Sequence, residues 1–174
     1  FLGNTDPKKN AARVLKAYSL YLERSSVKRP LLIADLKEEY INNLLQQEGI
    51  TKVKSHLYYP GYISNKDLAT LYNAAFVFLY PSLRESFGIP MIEAMACGTP
   101  IIIGDTSAMP EVAGPDALTV DPYKAEEISE AILRLETDNE LYQKQKEYGL
   151  IRANLFSWRE TAGKLIELYQ SLQP

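Results

Sequence analysis

The chain has 174 residues, of which 46% are hydrophobic and 24% charged, and its formal net charge is −3 at pH 7. This length and composition fit one globular domain with a sizeable core. The mild acidic excess argues against nucleic-acid binding, which requires a basic surface. We expect no transmembrane segment, because no run of the sequence approaches the roughly 20 apolar residues that span a bilayer.

Short apolar runs alternate with amphipathic stretches along the chain, as is typical of a parallel sheet with helices on both faces. The predicted strands are residues 1–3, 31–34, 53–59, 76–80, 101–103 and 117–120. The predicted helices are residues 7–24, 37–48, 65–73, 90–97, 125–136, 139–154 and 158–172. The predicted fold class is therefore α/β, with a Rossmann-like, doubly wound parallel sheet of about six strands in one domain over residues 1–174. Because the chain opens on the end of a strand, without methionine, we expect it to be a fragment of a longer protein.

Local signals refine this pattern. Ser64 and Asp67 have the spacing of a helix capping box, with Asp in place of the usual Glu or Gln. Residues 107–115 contain two prolines and a glycine and are predicted to be the main irregular loop. Cys97 is the single cysteine, so an internal disulfide is excluded and a reducing, cytoplasmic setting is expected.

Three predicted loops follow strands of the sheet directly. Residues 4–9 follow the first strand, Glu85 follows the strand at 76–80, and residues 106–110 follow the strand at 101–103. In a parallel sheet the carboxyl ends of the strands lie at one edge, where ligands bind. The sequence therefore predicts that these loops form one binding cleft.

The segment PSLRESFGIPMIEAMACGTP at residues 81–100 joins two glutamates to the start of a short helix. Pro90 suits a first helical position, and Gly98 followed by Pro100 supplies a helix stop. Unpaired N–H groups and the helix dipole then favour an anion beside residues 85–88. Glu85 on the loop and Glu93 inside the helix can contact two parts of an elongated ligand, such as a nucleoside diphosphate sugar. For an arbitrary match the simpler interpretation is a solvated loop acid and a helix-dipole partner.

A second helix start, at Asp6 and Pro7, carries Lys8 and Lys9 in its first turn. This is the unfavourable end of a helix for cations. A bound anion would relieve the conflict, since ammonium and N–H groups would both face negative charge. We expect Lys9 to contact such an anion and Lys8 to be solvated.

Residues 81–98 resemble the E-x7-E signature of the retaining glycosyltransferases with the two-domain GT-B architecture, a family of many bacterial mannosyl- and glucosyltransferases. Further similar stretches occur in the same order as in that family: DLATLYNAA at 67–75, MPEVAG at 109–114, VDP at 120–122 and FSW at 156–158. Essentially the whole chain resembles the C-terminal, donor-binding domain, one half of the GT-B fold. No part resembles the N-terminal domain.

The resemblance implies roles for the two glutamates. Glu85 would be the catalytic residue, accepting hydrogen bonds from donor-sugar hydroxyls and stabilising positive charge at the anomeric carbon. Glu93 would hold the ribose hydroxyls. The backbone of Phe87, Gly88 and Ile89 would bind sugar hydroxyls and phosphate.

The resemblance also implies a pyrophosphate site and a base site. In the family an Arg and a Lys grip the donor pyrophosphate; Lys9 matches the lysine, whereas Asn4 stands at the arginine position and removes one positive charge. Tyr62 lies in the Gly61–Ile63 stretch, where the family packs the nucleotide base. For Tyr62, stacking on the base and covering the sheet edge remain equal alternatives.

The function so implied is retaining, metal-independent transfer of a hexose from an NDP-hexose donor to a glycan, lipid or small acceptor. The donor would be the only nucleotide partner, with no further cofactor; His56 is the single histidine, and no cluster of metal-ligand spacing accompanies it. The acceptor would bind through the N-terminal domain, so the fragment alone is expected to be inactive. Lipid-linked acceptors would bring the full-length cytoplasmic enzyme to the inner membrane.

Two alternatives stay open. One is a sugar-nucleotide epimerase or hydrolase of the same architecture, and the other is a non-catalytic nucleotide-sugar-binding domain, which Asn4 favours. A dehydrogenase is not expected, because no G-x-G-x-x-G follows the first strand.

Overall fold

The computed structural model describes residues 1–172 and has five strands and eight α-helices within that range. The strands are Leu31–Ala34 (β1), Leu57–Gly61 (β2), Phe78–Tyr80 (β3), Ile101–Gly104 (β4) and Leu118–Val120 (β5). The helices are Ala11–Arg24 (α1), Glu38–Gln47 (α2), Asn65–Ala74 (α3), Ile89–Ala96 (α4), Met109–Ala113 (α5), Ala125–Thr137 (α6), Asn139–Ala153 (α7) and Trp158–Ser171 (α8). Pro7–Lys9 and Thr51–His56 form 3₁₀ turns.

The strands form two parallel sheets. β1 pairs with β2, and β4 lies between β3 and β5. A single parallel bridge joins Leu2 to Ala34. Because every pairing is parallel, the predicted α/β class is confirmed, and the carboxyl ends of the strands share one edge.

Both faces of the larger sheet are buried. Along β3, Leu79 packs into a core that includes residues of α1 and α6, whereas Phe78 and Tyr80 pack into a second core with residues of α4 and α5. Successive strand residues point to opposite faces, so these two cores cover the sheet from both sides. α1 packs on α6, and α4 packs on α7.

Two of the six predicted strands were wrong in part. Residues 1–3 form a single bridge at Leu2 rather than a strand: the Phe1 carbonyl accepts from the Ala34 N–H at 3.0 Å and the Gly3 N–H donates to the Ala34 carbonyl at 3.4 Å, so the stretch runs beside the end of β1. Residues 53–56 of the strand predicted at 53–59 lie in the 3₁₀ turns, and β2 begins at Leu57. Val53 is buried while the flanking Lys52 and Lys54 are exposed. A single buried residue between two exposed ones has the same pattern as a half-buried strand, which explains the wrong prediction.

The helix predicted at 7–24 is interrupted at Asn10. Asn10 adopts a left-handed backbone conformation with φ 64°, between the Pro7–Lys9 turn and α1. Its buried amide Nδ2 donates to the carbonyls of Pro81 at 2.9 Å and Pro122 at 2.7 Å. These bonds to distant segments stabilise a conformation that the local sequence does not favour.

Two local predictions also differ from the structure. The Ser64 hydroxyl donates to the Asp67 carboxylate at 2.7 Å, so the two side chains bond each other rather than the backbone of a capping box. The loop predicted at 107–115 contains the short helix α5. The other predicted elements lie within two residues of the observed bounds. Residues 173 and 174 of the predicted domain lie outside the described range.

Within residues 1–172, no helix combines the length and apolarity needed to cross a bilayer. An apolar cavity of about 340 Å³ lies near the amino ends of β1 and β3. Its lining includes Arg29 and Pro30 before β1 and Phe76 and Val77 before β3. This cavity is therefore at the edge of the strands opposite to the one where ligands of such folds bind.

Candidate functional site

Three loops meet at the carboxyl edge of the strands, as predicted. The backbone N–H of Leu83, after β3, donates to the carbonyl of Lys8 at 2.7 Å. The hydroxyl of Thr106, after β4, donates to the carbonyl of Leu83 at 3.2 Å. The loops that carry Lys9, Glu85 and residues 106–110 are therefore joined by direct hydrogen bonds.

The centre of this edge is an ion pair between Lys9 and Glu85. The Lys9 ammonium Nζ lies 2.6 Å from Glu85 Oε1 and donates to the Tyr80 hydroxyl at 3.1 Å. The two side chains are only 17% and 12% exposed. Burial, and then the negative charge of Glu85, raises the pKa of Tyr80. The structure thus brings together two residues that the sequence assigned to the phosphate and to the sugar.

Ser107 holds the backbone of the Glu85 loop. Its hydroxyl donates to the Glu85 carbonyl at 2.5 Å and accepts from the Glu85 N–H at 3.2 Å. Ser107 itself has φ 62°, an uncommon conformation for a residue with a side chain. Both bonds fix the Cα position of Glu85, and no local motif in the sequence signalled them.

The start of α4 presents free backbone donors beside this pair. Gly88 caps the helix with φ 88°, and a Cβ added there would lie 3.1 Å from Met91 Cε. Within residues 1–172, the N–H groups of Phe87, Gly88 and Ile89 donate to no protein acceptor. The Phe87 ring packs edge-on against Phe156 and remains 43% exposed. This helix start can accept an anion or polar oxygens from a ligand.

Glu93 is exposed and bonded to a buried tyrosine. The Tyr72 hydroxyl donates to Glu93 Oε2 at 3.2 Å. Burial, and then the negative charge of Glu93, raises the pKa of Tyr72. The Phe78 ring contacts both Tyr72 and Tyr80, with ring centroids 5.2 and 5.5 Å away. One row of aromatic side chains therefore connects the partner of Glu93 with the partner of Glu85.

Asn4 and Tyr62 are not part of these contacts. Asn4 is exposed, and its Oδ1 accepts from the Asp6 N–H at 3.0 Å. Tyr62 is 80% exposed. Among the described residues, no hydrogen bond joins either side chain to Lys9, Glu85 or Glu93. They lie on loops at the same edge of the strands, and their assigned roles remain predictions.

The residues that support the site are not predicted from the sequence. Tyr72 occurs within the stretch at 67–75, and Tyr80 stands one residue before the 81–100 segment, but neither was assigned a function. Asn10 and Ser107 both have a positive φ, and both hold the loops of the site through hydrogen bonds to residues that are distant along the chain. Only the proximity of Asn10 to Lys9 along the chain could have drawn attention to it.

A cleft of about 420 Å³ lies at the carboxyl ends of β1 and β2. It is lined by Asp35, Leu36, Lys37, Glu38, Tyr59, Gly61 and Tyr62. Tyr62 thus lines a concave surface, as a base-binding residue would. In the part of the chain that the structure describes, no group of three or more His, Cys, Asp or Glu side chains is arranged to hold a metal ion.

A parallel sheet covered by helices, with polar loops and helix starts at its carboxyl edge, defines a Rossmann-like domain of the kind that binds nucleotides. The comparison with known proteins identifies the family. The chain belongs to the glycosyl transferases group 1, whose match covers residues 1–152. The resemblance to GT-B glycosyltransferases is thereby confirmed.

Individual relatives agree with this family. The chain is 33% identical over 174 residues to O-antigen chain mannosyltransferase B of Escherichia coli, a match that covers 99% of the chain and 45% of the relative. Sucrose-phosphate synthase from Thermosynechococcus elongatus superimposes with a TM-score of 0.84 at 28% identity, over 98% of this chain and 44% of that one. The chain thus spans less than half of each of these proteins.

The structure of Anabaena Alr3699/HepE in complex with UDP and glucose has the same fold. Its TM-score to this chain is 0.84 at 18% identity, over 98% of this chain and 48% of that one. At this identity the similarity concerns the architecture alone.

Proposed function

We propose that this chain is the donor-binding part of a retaining glycosyltransferase that moves a hexose from an NDP-hexose to a glycan, lipid or small acceptor. The observation that carries the proposal is the Lys9–Glu85 pair beside the free N–H groups at the start of α4. The mannosyltransferase relative supports a hexose donor, and the Anabaena protein in complex with UDP and glucose has the same fold.

The electrostatics suit a diphosphate. Lys9 and the N–H groups of Gly88 and Ile89 provide positive potential on one side of the site, and no metal ion is required in this proposal. Asn4 would supply a hydrogen-bond donor in place of the family arginine, through its amide Nδ2. Lys9 would change partner from Glu85 to phosphate when the donor binds, which frees the carboxylate for the sugar.

The same geometry suits the transfer step. The bond between the anomeric carbon and the phosphate oxygen breaks, and its electron pair leaves with the diphosphate, which the helix N–H groups stabilise. Positive charge then develops at the anomeric carbon, opposite the Glu85 carboxylate. The acceptor hydroxyl oxygen forms the new bond to the anomeric carbon, and its proton passes to an oxygen of the departing diphosphate. Glu93, about one turn inside α4, would hold the ribose.

Calorimetric titration with UDP-, GDP- and ADP-hexoses tests donor binding by this chain. We expect one of them to bind, and Glu93→Gln to weaken it about tenfold through loss of a charged hydrogen bond. Glu39→Gln, an exposed carboxylate on α2, is the matched control for a change of charge. Absence of binding to all three donors, or equal affinity in the Glu93 variant, contradicts the proposal.

Transfer itself is tested on the full-length enzyme, with an acceptor and with the Glu85→Gln variant. We expect transfer to depend on Glu85 and the product to keep the anomeric configuration of the donor, as read by NMR. Donor turnover without acceptor would instead indicate an epimerase or hydrolase. Transfer that is unaffected by Glu85→Gln would remove the catalytic assignment.

A further inference from the structure

We propose that Asp35 makes this chain selective for guanine, at the cleft beside the Gly61–Ile63 stretch where the family packs the nucleotide base. This inference rests on the proposed function, because it concerns the donor of the same site. It names the donor class as a guanosine diphosphate sugar and assigns a specificity-determining residue that lies outside the E-x7-E segment.

Asp35 is held in an unusual conformation at the mouth of the cleft. It follows β1 with φ 64°, and its N–H donates to the Gly61 carbonyl at 3.0 Å. Its Oδ1 accepts from the Ile63 N–H at 3.4 Å. These bonds join the loops after β1 and β2, so the carboxylate is placed by the backbone of both strands rather than by a flexible surface loop.

The Asp35 carboxylate keeps acceptor capacity toward a ligand. Among residues 1–172 it forms no ion pair, and Oδ1 has the single long bond to Ile63. Glu38, the other carboxylate that lines the cleft, is paired with Lys54 at 3.1 Å. Asp35 is therefore the acidic group of this cleft that is available to a base.

A carboxylate can distinguish the nucleotide bases by the order of donors and acceptors along their edges. Guanine presents two adjacent donors, N1–H and the N2 amino group, which match the two oxygens of one carboxylate in the way that a guanidinium does. Uracil presents one N–H between two carbonyl oxygens, which a carboxylate repels. Adenine presents an amino group next to an acceptor nitrogen. A rigid carboxylate consequently favours guanine over both.

Two tyrosines complete the cleft. Tyr62 is 80% exposed and offers its ring face to a base. The Tyr59 hydroxyl is shielded from solvent and has no hydrogen-bond partner in the described structure. A buried hydroxyl of this kind is a donor for an acceptor such as O6 or N7 of a purine.

The cleft is also at the right place relative to the ribose carboxylate. Tyr72, which bonds Glu93, has its pKa raised by burial, by Glu93 and, to a smaller extent, by the Asp35 carboxylate. The Asp35 and Glu93 carboxylates are thus both near enough to one tyrosine hydroxyl for their charges to act on it. A nucleoside can span them, with its ribose at Glu93 and its base in the cleft.

The test compares GDP, UDP and ADP as ligands of the unmodified chain and of Asp35→Asn, by calorimetry. Asn keeps an oxygen that can accept from Ile63 but replaces the second acceptor by an amide donor and removes the charge. We expect GDP to bind most tightly to the unmodified chain, and Asp35→Asn to lose about ten- to one-hundredfold in GDP affinity while UDP affinity holds or rises. Glu39→Gln is the control for removal of an acidic charge.

The outcomes separate this inference from the proposed function. Preference of the unmodified chain for UDP or ADP, or an equal loss of all three affinities in Asp35→Asn, overturns guanine selection while donor binding stands. An equal loss would show that the charge of Asp35 supports the cleft without distinguishing the bases. Absence of binding to all three nucleotides overturns the proposed function itself.

Discussion

The ion pair between Lys9 and Glu85 should contribute far more to stability than a surface salt bridge. We propose a double-mutant cycle with Glu85→Gln, Lys9→Met and the double variant, because both replacements preserve the approximate shape of the side chain. Either single variant leaves a group that is less than one-fifth exposed without its charged partner. The double variant removes both charges together.

The burial of the two side chains determines how much unfolding free energy each variant should lose. A hydrogen bond to a charged group contributes about 1.5–3 kcal/mol, and breaking a fully buried pair costs about 3–5 kcal/mol. Since 17% and 12% of the two side chains remain exposed, we expect about 2–3 kcal/mol for each single variant. The double variant should cost about as much as one single change, which gives a coupling energy of about 2–3 kcal/mol.

Urea unfolding followed by circular dichroism measures these free energies. Arg24 and Glu130 provide a matched control, with an N–O distance of 2.8 Å but side chains that are 56% and 51% exposed. Their coupling energy should stay below about 0.5 kcal/mol. A coupling energy for Lys9 and Glu85 no larger than that of the control pair would refute the reasoning.

Three further changes test the supports of the site. Asn10→Ala should lower the free energy of unfolding by about 2–4 kcal/mol, through two lost buried hydrogen bonds and a positive φ, and Asn10→Gly should recover only the backbone part; urea unfolding of both variants checks this. Gly88→Ala should cost about 1–2 kcal/mol in the same assay because of φ 88° and the contact with Met91, whereas Gly163→Ala, in open space within α8, should stabilise by about 0.5–1 kcal/mol. Stability should fall as pH rises above about 10, because unfolded tyrosines then release protons that Tyr72 and Tyr80, with raised pKa, retain. The slope is up to about 1.4 kcal/mol per pH unit per tyrosine, and a Tyr80→Phe variant with an unchanged slope between pH 9 and 11 would contradict the assignment.

The periodicity of the sequence predicts most of the fold, and its failures have a physical cause. Helices such as α2 and α6 follow from apolar spacing and lie within one residue of the prediction. The strand predicted at residues 1–3 is observed as a single bridge, because the length of a strand depends on pairing with residues that are distant along the chain. The helix predicted at residues 7–24 is interrupted at Asn10 for a similar reason. Hydrogen bonds from Asn10 to Pro81 and Pro122, which are distant along the chain, override the local helix propensity.

The site is predictable in part. The order of strands and loops places Lys9, Glu85 and the start of α4 at one edge, and the structure brings the first two into contact. The contact itself is not visible in the sequence, because it depends on which side chains fill the space between the loops. Asp35 is the clearest example, since its position depends on a backbone hydrogen bond to Gly61 at the end of β2, a different strand.

A crystal structure of this chain with a bound guanosine diphosphate hexose tests the central claim most directly. We expect diphosphate oxygens within hydrogen-bond distance of Lys9 Nζ and of the N–H groups that begin α4, with the ribose at Glu93 and the hexose at Glu85. A nucleotide bound elsewhere, such as in the apolar cavity near the amino ends of β1 and β3, with the Lys9–Glu85 pair intact, would contradict it.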